Sequence, residues 1–105
     1  MRKVEVYLHD KLAGFLIEWE QLKKYEFQYL KNYTGEPVSL TMPVQNESYT
    51  FEQFPPFFDG LLPEGIMLEG LLRQLKIDRH DYMSQLIATG GDLVGAVTVK
   101  AAKNG

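Results

Sequence analysis

Residues 3–19, KVEVYLHDKLAGFLIEW, carry the first decision about the fold. Across residues 3–9, Val4, Val6 and Leu8 fall on one side while Lys3, Glu5, Tyr7 and His9 fall on the other. This period-two alternation is that of a half-buried strand. Asp10-Lys11 supplies a tight reversal, and residues 12–19 return as the second strand of a hairpin. Gly14, inside that second strand, predicts a bulge or a close backbone approach. His9 reads as an outward polar residue at a strand end rather than as a base.

Outward from the hairpin, the alternation resumes at residues 25–31 (YEFQYLK), with Tyr25, Phe27 and Tyr29 on one face. Such a stripe can stack nucleobases, but without a basic rim it reads as the cover of a small core. Asn32 to Pro37 is a turn, Val38 to Met42 a short strand ending at Pro43, and Glu47 to Phe51 another at an edge. The second half changes period. Pro55-Pro56 suits a first helical turn, and Phe57, Phe58, Leu61 and Leu62 follow at helical spacing until Pro63-Glu64-Gly65 interrupts them. Residues 66–76 resume a helix with Ile66, Leu68, Leu71, Leu72 and Leu75 as an apolar stripe. Asp78 or Asp81 caps a further helix over residues 81–89, which Gly90-Gly91 ends. Residues 94–100 form a last β-branched strand.

Strands first and helices later predict an α+β domain. The expected architecture is a small antiparallel sheet or partly closed barrel of five to six short strands, with two to three helices in the second half. One domain spans residues 1–100, and residues 101–105 are a frayed tail.

Composition narrows the function. With 105 residues, 45% of them hydrophobic and 24% charged, the chain has an ordinary globular balance and room for one core. A net charge of −3 argues against direct nucleic-acid binding, which favours a basic face. Arg2-Lys3, Lys23-Lys24 and Lys100/Lys103 are short, interrupted basic spots that read as solvated ends and loops. The absence of cysteine excludes disulfides and thiolate metal sites. No apolar run reaches the ~20 residues that a membrane helix needs, and the N-terminus lacks the apolar region of a signal peptide. A cytoplasmic location is expected.

Catalytic constellations are missing from the sequence. No glycine-rich loop precedes a lysine and a hydroxyl residue at a helix start. Phe58-Asp59-Gly60 shares letters with a kinase metal-binding motif, but in the wrong order. The two histidines, His9 and His80, lie on different elements, and Asp78-Arg79-His80-Asp81 reads as a capping turn. Gly90-Gly91-Asp92 is better read as a helix stop than as an anion nest. The chain is expected not to be an enzyme.

Two separated stretches resemble a known family. Phe57-Phe58-Asp59-Gly60-Leu61-Leu62-Pro63-Glu64-Gly65 matches the pattern F-F-[DE]-[NG]-L-L-P-[ED]-G. Leu86-Ile87-Ala88-Thr89-Gly90-Gly91-Asp92-Leu93-Val94-Gly95-Ala96-Val97 is similar to L-[IL]-x-x-[LIT]-G-x-D-x-x-G-A-V, with one residue fewer before Gly90. Together with Pro37 to Pro43, they resemble the N-terminal subdomain of HipA-type serine/threonine kinases, which are toxins of bacterial toxin–antitoxin systems. In full-length members a kinase core follows; this sequence ends ten residues after Gly95. It is therefore similar to the free-standing HipS-type subdomain of three-component systems, where a HipT-type kinase lacks the subdomain and a HipB-like DNA-binding protein is the third component. The resemblance implies an antitoxin-like protein that binds and neutralises a separately encoded HipA- or HipT-type kinase, without cofactor or metal. The alternative is a non-catalytic subdomain or activating subunit of a split kinase. The resemblance and the loop chemistry nominate Leu62, Pro63, Glu64, Gly65 and Ile66 for partner binding, with Phe57, Phe58 and Leu61 anchoring the base. Many family members carry tryptophan or another bulky residue just after Pro-Glu-Gly; this sequence has Ile66.

Overall fold

The computed structural model describes residues 1–93 and 95–102. Its opening hairpin pairs β1 (Arg2–Leu8) with β2 (Lys11–Glu20), antiparallel. The reversal lies one residue earlier than the pattern predicts. His9 and Asp10 both take positive φ, 50° and 64°, as the two central residues of a type I′ turn must. His9 therefore belongs to the turn, and its N–H donates to the Ala96 carbonyl at 2.9 Å.

The bulge predicted from Gly14 is present. Val6 opposes Gly14 while Tyr7 opposes Leu12, leaving Ala13 as the extra residue. The carbonyl of Ala13 accepts from Leu30 N–H at 2.8 Å. A Cβ on Gly14 would strike the Gln28 carbonyl oxygen, so this position holds two strands at a spacing that alanine would break.

β3 (Lys24–Tyr29) pairs with β2, and β4 (Tyr49–Phe51) pairs with β3. β5 (Val97–Ala101) returns to the far side of β1, giving one open sheet of five strands in the order β4-β3-β2-β1-β5. The sheet is not a closed barrel: its two edges, β4 and β5, lie at opposite ends of the order, and the chain between them crosses the whole sheet.

The sixth strand, expected over Val38 to Met42, does not form. Ser39 and Met42 make a single bridge around a turn. The Tyr29 hydroxyl accepts from Val38 N–H and donates to the Met42 carbonyl, folding the segment inward at both ends. Val38 and Met42 are buried, and Leu40 between them stands 96% exposed.

One face of the sheet forms the core. Val4, Val6, Leu16, Tyr25, Phe27, Tyr29, Val97 and Val99 are buried there beneath the helices. The aromatic stripe of β3 is thus core, and Phe27 meets Tyr29 edge-on at 4.9 Å. The helices are α1 (Pro56–Asp59), α2 (Gly65–Leu75) and α3 (Tyr82–Thr89). α3 starts at Asp81, whose carboxylate accepts from Ser84 N–H at 3.1 Å, an N-cap as the sequence allowed. It ends at Gly90, whose carbonyl accepts from Val99 N–H at 2.9 Å. That bond covers part of the outer edge of β5.

β5 begins at Val97 rather than at residue 94, and Val94 lies outside the described residues. Ala101 is the last strand residue, and Ala102 N–H donates to the Lys3 carbonyl at 3.1 Å. Residues 103–105 of the expected tail also lie outside the described residues. Among the described residues, no helix is long and apolar enough to cross a membrane.

Candidate protein-binding site

The site is built by a chain that stops and restarts helix twice. Pro55 flanks α1 and Pro56 opens it, so neither wastes a helical N–H donor. Phe58 is fully buried, with its ring 5.7 Å from that of Phe27; burial of this kind contributes roughly 1.5–3 kcal/mol. After one turn the helix tightens: Leu61 N–H donates to Phe58 O and Leu62 N–H to Asp59 O, at 3.0 and 3.2 Å. This draws Leu62 into the core at 8% exposure, while Leu61 and Phe57 are half-buried against it.

From here the chain leaves the core. Pro63 is half-buried, whereas Glu64 and Gly65 are exposed. Glu64 is extended (φ −128°, ψ 164°) and its side chain caps nothing. Gly65 has φ +58°, and a Cβ there would meet no atom within 4 Å. Glycine serves here for the sign of φ, not for space. Ile66 follows at 90% exposure and Met67 at 75%. Of the five residues nominated from the sequence, Glu64, Gly65 and Ile66 are presented outward together, Pro63 supports them, and Leu62 belongs to the core.

α2 differs from the expected stripe. At 100° per residue, Leu68 and Leu72 face inward, and Met67, Leu71 and Leu75 share one edge at i, i+4 and i+8. Ile66 falls on the other side, beside Gly70 and Arg73, which explains its exposure. Leu72 is the one buried residue of α2, and Leu75 is half exposed. The sequence pattern grouped Ile66 with Leu68, Leu71, Leu72 and Leu75 because periodicity identifies apolar residues without saying which of them the rest of the chain covers.

Beside the projection lies an open cleft of about 630 Å³. One wall comes from residues 60–64 and Met67, the other from Thr89, Asp92 and Leu93. The lining is mainly apolar. Glu64 and Asp92 add one carboxylate to each wall, and among the described residues no cation stands within 4 Å of either.

A second cluster is structural. Arg2 donates to Glu18 and to Asp81, each at 2.7 Å, and to Ser84 Oγ at 2.9 Å. Tyr25 OH donates to Glu18 at 2.9 Å and accepts from Leu22 N–H at 2.9 Å. Burial acts to raise the Asp81 carboxyl, but donation from Arg2 and Ser84 outweighs it and holds the group below the usual carboxylate range. Burial, opposed by the Leu22 N–H and reinforced by Glu18, pushes the Tyr25 phenol up to about 12. The sequence offered no sign of this cluster, because Arg2 reads as a solvated strand end and its partners are 16 and 79 residues away. Among the described residues, no group of three or more His, Cys, Asp or Glu is placed to hold a metal ion.

A one-layer antiparallel sheet covered by helices and carrying an exposed apolar projection defines a small α+β domain. The profile of the HipA N-terminal domain family matches residues 4–100, and the chain belongs to that family. It is 28% identical over 103 residues to an uncharacterised protein of Haemophilus influenzae, an alignment covering 98% of this chain and 95% of that protein. A solved structure described as the N-terminal domain of HipA toxin superposes with a TM-score of 0.76 at 24% identity, covering 100% of this chain and 96% of that one. That likeness carries the fold.

Proposed function

We propose that this chain is a non-catalytic, antitoxin-like protein that binds and neutralises a separately encoded HipA- or HipT-type serine/threonine kinase. Contact is made through the Pro63–Ile66 projection, with the complex formed in the cytoplasm. The observation that carries the reading is the 90% exposure of Ile66 directly after a left-handed glycine, in a domain of the HipA N-terminal family. A branched apolar side chain held in water at the start of a helix has the form of an interface anchor. A rigid projection pressed into a kinase cleft opposes the closure that phosphoryl transfer requires. Family membership supports association with a HipA-type kinase. A HipB-like DNA-binding protein completes the assembly in this reading.

The test is co-expression with a HipA-type kinase core that lacks this subdomain. Growth is rescued by the wild type and not by Ile66→Asp, and calorimetry gives a matching loss of affinity with unchanged melting. The same domain as an activating subunit of a split kinase predicts the reverse: faster autophosphorylation of purified kinase when this protein is added. That outcome sinks the antitoxin reading.

A further inference from the structure

We propose that the cleft beside the projection, continued by the Met67–Leu71–Leu75 edge of α2, takes a helical segment of the partner with apolar residues along one face and arginine or lysine at one end. The inference rests on the kinase-binding reading and names the chemistry of a second contact within it.

Three observations combine. First, α2 has eleven residues and buries one of them, Leu72. A helix this short gains most of its stability from an apolar face packed on a neighbour, yet Met67 is 75% and Leu75 50% exposed. The apolar edge from Met67 to Leu75 runs two turns, roughly 12 Å at 1.5 Å per residue, a length that a short helix matches. Second, Met67 belongs both to this edge and to the cleft, whose opposite wall includes Leu93. The edge and the recess are therefore one continuous apolar surface, the groove form of helix recognition.

Third, the charge is one-sided. Glu64 and Asp92 stand on the two walls, and among the described residues the cleft lining contains no basic side chain. An arginine or lysine laid over Met67 and Leu61 keeps its aliphatic stem on apolar surface while its head reaches the carboxylates. An acidic segment meets like charge instead, so the site selects against it.

The experiment uses the intact protein and a HipA-type kinase core that lacks this subdomain, inactivated at its catalytic aspartate, with calorimetry at low and high salt. Asp92→Lys and Met67→Glu, both exposed, are expected to weaken binding at least tenfold without changing the melting temperature. Asp92→Lys is further expected to remove most of the salt dependence. If both variants bind like wild type while Ile66→Asp does not, the cleft proposal is overturned and the kinase-binding reading stands.

If the kinase does not bind the wild type, that reading fails. The cleft is then decided by a twelve-residue helical peptide with leucines at i, i+4 and i+8 and two terminal arginines, against its glutamate counterpart. Movement of the Met67 methyl resonance by the arginine peptide alone supports the proposal; movement by both or by neither overturns it. A concentration-dependent dimer abolished by Met67→Glu would assign the surface to a second copy of this chain and also overturn it.

Discussion

Arg2 and Asp81, 79 residues apart in the chain, meet at 2.7 Å and tie the first strand to the start of the third helix. The same guanidinium holds Glu18, a carboxylate only 4% exposed on the core face of β2. Arg2→Ala leaves that nearly buried charge with the Tyr25 hydroxyl alone. Breaking a buried pair costs 3–5 kcal/mol, and the partial exposure of Arg2 reduces this to about 2 kcal/mol. Denaturant unfolding should show that loss. A double-mutant cycle of Arg2→Ala with Asp81→Ala should return a coupling of about 1 kcal/mol, and strict additivity would remove the tie.

Asp81 also sets an acid limit. Its folded carboxyl sits below its ordinary value, so between that depressed value and ~3.9 the unfolded chain binds a proton that the folded chain refuses. The stability Asp81 contributes is therefore complete above pH ~4 and is lost as pH falls through the folded value. Asp81→Asn should flatten the melting temperature against pH below ~4. It should keep most of the N-cap, since asparagine caps as well as aspartate.

Tyr25 sets the alkaline limit by the opposite sign. With its phenol at about 12 in the folded state, against ~10 unfolded, stability is complete below pH ~10 and falls as pH rises towards the folded value. Tyr25→Phe should reduce that slope in thermal melts recorded from neutral to strongly alkaline pH, while lowering stability at neutrality through loss of the Leu22 and Glu18 bonds.

The two halves of the FFDGLLPEG segment and the residue after it should separate cleanly. Phe58→Ala empties a fully buried site and should cost about 3–5 kcal/mol, enough to leave much of the domain unfolded at 37 °C. Ile66→Ala, eight positions on, should lie within about 0.5 kcal/mol of wild type while weakening the kinase complex. Equal effects of both on melting would move Ile66 into the core.

Glycines give a second separation. A Cβ on Gly90 collides with the Val99 carbonyl oxygen, so Gly90→Ala must part α3 from β5 and should cost more than ~2 kcal/mol. Gly65→Ala meets no neighbour but retains φ +58°, a conformation that costs roughly 1–2 kcal/mol for an L-residue. Its melting should fall by less, and its affinity for the kinase should fall with it as the projection changes course.

The legible parts of this fold are those where a local pattern has a local cause. Alternation in residues 3–9 and 25–29, the bulge at Gly14, the Asp81 cap and the stop at Gly90 all depend on near neighbours. Val38 to Met42 misled because its period-two letters were real but its partner was not a strand. The Tyr29 hydroxyl took both Val38 N–H and Met42 O, turning alternation into a loop that ejects Leu40. At the site, the break at Pro63 to Gly65 was readable from residue types. Burial of Leu62 and exposure of Met67 depended on which surfaces the rest of the chain left uncovered, and no window of sequence contains that.

The place of β5 in the sheet has a consequence for synthesis. β1 is made first, yet one of its two flanks stays open until β5, the last strand, has left the ribosome. At 5–20 residues per second, β1 waits for Val97–Ala101 before its second flank can close, and Arg2 waits for Asp81. A product stalled or truncated before β5 carries an unsealed strand edge that invites aggregation in place of a finished domain.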